Sequence, residues 1–79
     1  MARFYLHLHN DVNVTDPEGR DFPDLNAARR WTRDQARLLV GQVAKDEGRI
    51  VLHHRIDIEN EDGEVLDSIP FADAVKIVG

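Results

Sequence analysis

The chain has 79 residues, 32% of them charged, a formal net charge of −5 and no cysteine. That length fits one domain, and a chain so short hides only about 60–65% of its unfolded surface. Without cysteine there are no disulfides or thiolate metal sites to reinforce it, and the acidic balance argues against generic attraction to phosphate backbones. Association is the remaining way to gain buried area, so the expectation is a single domain over 1–79 that forms a homodimer.

Arg3 to His9 alternates, with Phe4, Leu6 and Leu8 on one side and Arg3, Tyr5, His7 and His9 on the other. Period two with aromatic residues predicts a half-buried strand. Asn10-Asp11 marks a turn, after which Val12 to Thr15 begins a second strand. Asp16-Pro-Glu-Gly19 is a stronger turn signal, because proline fixes φ and glycine permits φ > 0. Arg20 to Phe22 then completes the return.

Phe22-Pro23-Asp24-Leu25 reads as a helix entry, with Asp24 as N-cap. The helix runs to Glu47, and Gly48 follows as C′ residue. At about 100° per residue, Leu25, Ala28, Thr32, Ala36, Leu39, Val40 and Val43 share one stripe. Arg30, Arg33, Asp34 and Arg37 lie opposite, and Trp31 and Leu38 lie on the flank with Gln35 and Gln42. Ile50 to Asn60 is the next strand, Asn60-Glu-Asp-Gly63 a hairpin turn, and Glu64 to Ile69 the returning strand. Pro70 breaks the ladder. Phe71, Ala74, Val75 and Val78 then follow helical spacing, with a strand through Ala74–Val78 as the alternative.

The predicted fold class is therefore α+β: a small antiparallel sheet in the order β-β-α-β-β, one long helix packed on one face, and a short C-terminal helix. Its core comprises Phe4, Leu6, Leu8, Leu25, Ala28, Ala36, Leu39, Val43, Ile56, Ile58, Leu66 and Phe71. At a core position, Leu39→Ala would cost about 2–5 kcal/mol.

Charge is uneven along the chain. Arg29, Arg30, Arg33 and Arg37 against Asp34 give the helix centre +3, leaving −8 for the rest. The arginine row suits an acidic partner, and Trp31 suits either the core edge or a dimer interface, where tryptophan is enriched. The run His7-Leu-His9-Asn-Asp11 places two imidazoles on one strand face with a carboxylate after them, a set zinc takes. It superficially resembles the His-x-His-x-Asp-His run of metallo-β-lactamase-fold hydrolases, but Val12 stands at the last histidine. If the first strand pairs beside the third, Tyr5, His7, His9, His53 and Arg55 share one polar surface. No hydroxyl is spaced to pair with a histidine and no two carboxylates are forced together, so no catalytic residue, cofactor or metal is expected. No window approaches the roughly 18 apolar residues of a membrane span, so a cytoplasmic protein is expected.

Together, Arg3-Phe-Tyr-Leu-His7, the Asp16-x-x-Gly19 turn, Phe22-Pro-Asp-Leu25-x-Ala-Ala28, Glu61-Asp-Gly63-x-Val-Leu66 and Ile69-Pro-Phe71 form a pattern. It resembles a family of short bacterial proteins of unknown function found in alphaproteobacteria. The resemblance implies a stand-alone α+β domain and no activity. Gly19 through Ala36 also resembles the N-terminal domain of HicB-type antitoxins, with Asn26-Ala27 in place of the usual Pro-Gly. The reading that results is a non-catalytic protein-interaction module that self-associates, with Arg30, Trp31, Arg33, Arg37, Tyr5, His7 and His9 as its candidate surface. Its expected partners are a second copy and an unidentified protein, not nucleic acid or membrane. The alternative is a HicB-antitoxin-like or nucleic-acid-linked regulator.

Overall fold

The computed structural model describes residues 2–10 and 13–79. In chain order these form β1 (Ala2–His9), β2 (Arg20–Phe22), α1 (Leu25–Glu47), β3 (Arg55–Glu59), β4 (Val65–Pro70) and α2 (Phe71–Ala74). The strands make one antiparallel sheet in the order β2-β1-β3-β4. The expected α+β architecture is the one observed.

Alternation in β1 turns Phe4, Leu6 and Leu8 toward α1. β2 pairs only with Ala2, Arg3 and Phe4. Beyond it, the outer edge of β1 is satisfied by the loop that precedes β2. Leu8 and Val14 exchange two backbone hydrogen bonds of 2.9 Å, and the Leu6 N–H donates to the Asp16 carboxylate at 3.3 Å. A side chain thus stands where a ladder carbonyl would be.

Asp24 caps α1, its carboxylate accepting from the Ala27 N–H at 2.8 Å. Gly48 ends the helix in the left-handed region at φ 67°, its N–H donating to the Ala44 carbonyl, a conformation that other residues adopt at a cost. The buried helix stripe is Ala28, Thr32, Ala36 and Val40, spaced by four. Small residues there let the helix lie close to the sheet. Two apolar clusters result: Phe4, Phe22, Ala28, Ile58 and Ile69 at one end, and Ala36, Val40, Ile56, Phe71 and Ala74 at the other.

Several expectations need correction. The turn at Asn10-Asp11 and the strand start at Val12 fall partly outside the described residues. Among the described residues up to Thr15, Val14 makes a bridge, to Leu8. β3 begins at Arg55 rather than Ile50, because β1 ends at His9, the partner of Arg55. Among the described residues, 50–54 join no ladder, and the His54 carbonyl accepts from the Phe71 N–H at 2.9 Å. α2 stops at Ala74 rather than reaching Val78: the Arg37 Nε donates to the Ala74 carbonyl at 2.6 Å, and Val75 turns extended. Leu39 and Leu66 are not core residues, each being 37% exposed. Val40 takes the inward position, and Leu39, about 100° around the helix, is left on the flank. Phe22, Val40, Ile69 and Ala74 join the core instead.

Candidate functional site

The candidate residues fall on two surfaces. Tyr5, His7 and His9 lie on the sheet face turned away from α1. Arg30, Trp31, Arg33 and Arg37 belong to the helix on the other side, so the two groups do not meet.

On the open face the register places Tyr5 opposite Glu59, His7 opposite Asp57 and His9 opposite Arg55. The expected polar surface therefore exists, but carboxylates are interleaved with its histidines. The Asp16 N–H donates to His7 Nδ1 at 3.0 Å, so in the neutral ring Nε2 carries the proton. That nitrogen lies 3.5 Å from Glu59 Oε2. His9 Nε2 is 3.0 Å from Asp57 Oδ2. Asp57 is buried, and its Oδ1 accepts from Ser68 Oγ at 2.6 Å and from Arg55 Nε at 3.2 Å. Full pairing is what permits a buried carboxylate at that position.

This chain of contacts carries a nucleophile-bearing residue, a carboxylate and a histidine, but in the wrong order for acyl transfer. Ser68 and His9 each bond Asp57, whereas an activated serine bonds the histidine. His7 and His9 likewise engage different carboxylates. Among the described residues no group of three or more His, Cys, Asp or Glu is placed to hold a metal ion. Asp11, the third member of the zinc-like run, lies outside them. Beyond the end of β1 an open cleft of about 330 Å³ is lined by His9, Asn10, Asn13, His53, His54 and Arg55. His53 thus shares a wall with His9, although it lies outside the sheet.

Asp16 holds the loop to this face. Besides Leu6, its carboxylate accepts from the Glu18 and Gly19 N–H groups at 3.2 and 3.0 Å. Partial burial raises the Asp16 pKa, but the three backbone donors, with nearby His7, outweigh it and hold the carboxyl below its ordinary value.

On the helix side the arginine row is split between structural and free members. Arg29 Nε donates to Asp67 Oδ2 on β4 at 2.6 Å, and Arg37 clasps the end of α2. Arg30 and Arg33 are exposed and form no ion pair with the described residues. Trp31 is half-buried and closes the core edge. Its ring lies 5.9 Å from that of Phe22, which in turn lies 6.1 Å from Phe4. The Arg20 guanidinium sits 4.4 Å above the Trp31 ring, a cation–π contact. Sequence reasoning passed over Asp57, Asp16 and Arg20 as contributors to these surfaces. Only Asp16 carried a signal, as the first residue of a predicted turn. Leu38, placed on the flank by periodicity, is 64% exposed.

Residues 3–72 match the model of the family described as Domain of unknown function (DUF6894), and the chain belongs to that family. No curated protein and no solved structure matches it. Among the described residues no helix is long and apolar enough to cross a membrane.

Proposed function

We propose that this domain is a non-catalytic protein-interaction module that self-associates. The observation that carries the reading is surplus surface. A monomer of 9.0 kDa would expose about 4,850 Å² by the usual scaling with mass, whereas this chain exposes 5342 Å². Its radius of gyration is 12.9 Å, against about 11.6 Å for a compact chain of this length. Its surface thus exceeds that of an average monomer of this mass by about 500 Å². Large apolar side chains contribute to it: Leu38, Val65 and Ile50 are 64%, 56% and 54% exposed.

Two further features support a protein partner over a nucleic acid or a substrate. Arg29 and Arg37 are occupied inside the fold, so the row offers few free guanidinium groups to phosphates. The Ser68–Asp57–His9 linkage lacks the serine–histidine contact that nucleophilic chemistry needs. Light scattering coupled to size exclusion, over about 1–200 µM, tests the reading. A mass that rises from one chain to two with concentration is expected. A single-chain mass throughout would refute it.

A further inference from the structure

Asp16 is fastened to β1 at two points, and the two fastenings answer to different protons. Its carboxylate accepts from the Leu6 N–H, and from those of Glu18 and Gly19. Its own N–H donates to His7 Nδ1 at 3.0 Å, and an imidazole nitrogen accepts only while it carries no proton. The first fastening therefore favours an ionised carboxyl, and the second demands a neutral ring. Carboxyls ordinarily take their proton about 2–3 pH units below imidazoles, so one residue carries two catches that open at different acidity.

Each catch holds a different stretch of the loop. On the far side of Asp16, Glu18 and Gly19 are tied to the carboxylate, and Arg3 Nη1 donates to the Glu18 carbonyl at 2.7 Å. Gly19 packs so close to β1 that a Cβ there would lie 3.0 Å from the Phe4 carbonyl oxygen. None of these contacts involves His7. On the near side the loop meets β1 through Val14, which exchanges both backbone bonds with Leu8, and through Asn13 Oδ1, 3.3 Å from His9 Nδ1. Val14 is 52% exposed, so little apolar burial holds this stretch down.

The surroundings of His7 decide which partner gives way. On its face of the sheet Tyr5 and His9 flank it along β1, Asp57 and Glu59 lie across on β3, and Asp16 closes the edge. Asp57 is engaged by Ser68, Arg55 and His9. Glu59 Oε2 stands 3.5 Å from His7 Nε2, so a charged ring stays on the sheet, held by Glu59, and the loop has to move.

We infer that His7 is a proton-operated latch. With its ring neutral, residues 13–15 are pinned along the outer edge of β1. A second proton on the ring releases them, while the Asp16 carboxylate keeps residues 16–19 in place. Release leaves the Leu8 N–H and C=O bare on a sheet edge, the groups with which a further strand pairs. The latch does not depend on self-association.

The test is amide hydrogen exchange read by heteronuclear NMR on the full chain, at about pH 7.5 and about pH 5.5, which bracket the histidine range and stay above the carboxylate range. Protection factors, corrected for the intrinsic pH dependence of exchange, should fall at least about tenfold at Leu8 and Val14 and less than about twofold at Leu6. His7→Asn places an oxygen where Nδ1 stood and does not titrate, so its Leu8 and Val14 amides should keep at the lower pH the protection they have at the higher. His9→Gln removes the other imidazole that touches the loop and should respond to acid as the wild type does. The wild-type ring gives a readout that needs no variant: its nitrogen shifts at the higher pH should place the proton of His7 on Nε2. A proton on Nδ1, or protection at Leu8 and Val14 that acid leaves unchanged, would overturn the latch. So would an acid response that Leu6 shares in full, that His7→Asn retains or that His9→Gln abolishes.

Discussion

Replacing Asp16 should both weaken the domain and change how it responds to acid. The carboxylate accepts three backbone N–H groups, from Leu6, Glu18 and Gly19, at 3.3, 3.2 and 3.0 Å. The Glu18 and Gly19 bonds resemble a helix cap, worth about 0.5–2 kcal/mol. The Leu6 N–H lies within the sheet, and leaving it without an acceptor costs about 1–3 kcal/mol. Asp16→Ala should thus lose about 2–4 kcal/mol, a large part of the roughly 4–12 kcal/mol of a domain this size. Asp16→Asn keeps an acceptor but loses the charge, and should fall between. The carboxyl pKa is depressed in the folded state, so the folded chain releases this proton more readily than the unfolded one. Its stabilisation is complete above the unfolded value of about 3.9 and disappears as pH falls through the folded value. Urea unfolding followed by tryptophan fluorescence, at fixed protein concentration from neutral pH downward, should show a constant gap between wild type and Asp16→Asn. The gap should narrow only below about pH 4. A gap that widens on acidification, or an Asp16→Ala variant within about 0.5 kcal/mol of wild type, would refute the reasoning.

Ile58 is fully buried and Leu39 is 37% exposed. Ile58→Ala should therefore cost about 3–5 kcal/mol and Leu39→Ala less than about 1 kcal/mol at concentrations where the chain is monomeric; equal losses in denaturant melts would contradict the observed helix register. The Thr32 hydroxyl is buried without a hydrogen-bond partner. Thr32→Val keeps the shape and removes the orphan, so thermal unfolding should show a gain of about 1 kcal/mol, and a loss would mean that the hydroxyl is bonded in solution. Gly19 has φ 73°, and a Cβ there would lie 3.0 Å from the Phe4 carbonyl oxygen. Gly19→Ala should cost about 2–3 kcal/mol in chemical denaturation, and a cost below about 1 kcal/mol would mean that the loop moves away from β1 freely.

Local chemistry made most of the elements legible. The helix shows in Asp24, Gly48 and the spacing of Ala28, Thr32, Ala36 and Val40. The hairpin shows in Asn60, whose Oδ1 accepts from the Asp62 and Glu64 N–H groups. Alternation in β1 correctly set its polar face, and the conditional pairing with β3 brought Tyr5, His7, His9 and Arg55 together. What failed depended on distant contacts. Residues 50–54 have strand-like sequence, but β1, along which they would extend β3, ends at His9. Phe71 to Val78 has helical spacing, but Arg37, thirty-seven residues from Ala74, takes the carbonyl at which the helix ends. Leu39 and Val40 are adjacent in sequence, and periodicity alone could not say which one the sheet would cover. Asp57 falls on the outward side of β3 and is nevertheless buried, because Ser68, Arg55 and His9 reach it from three points of the chain.

The same economy that builds this core also leaves it incomplete. Alanine and threonine on the inner stripe bring α1 close to the sheet, and the helix then buries little apolar area for its length. Bulk displaced from that stripe reappears at Leu38 and Leu39 on the flank. At the N-terminal end β2 is present, and Phe22, Trp31 and Arg20 close the edge. At the C-terminal end, among the described residues, Val14 alone extends the sheet, opposite Leu8, and it is 52% exposed.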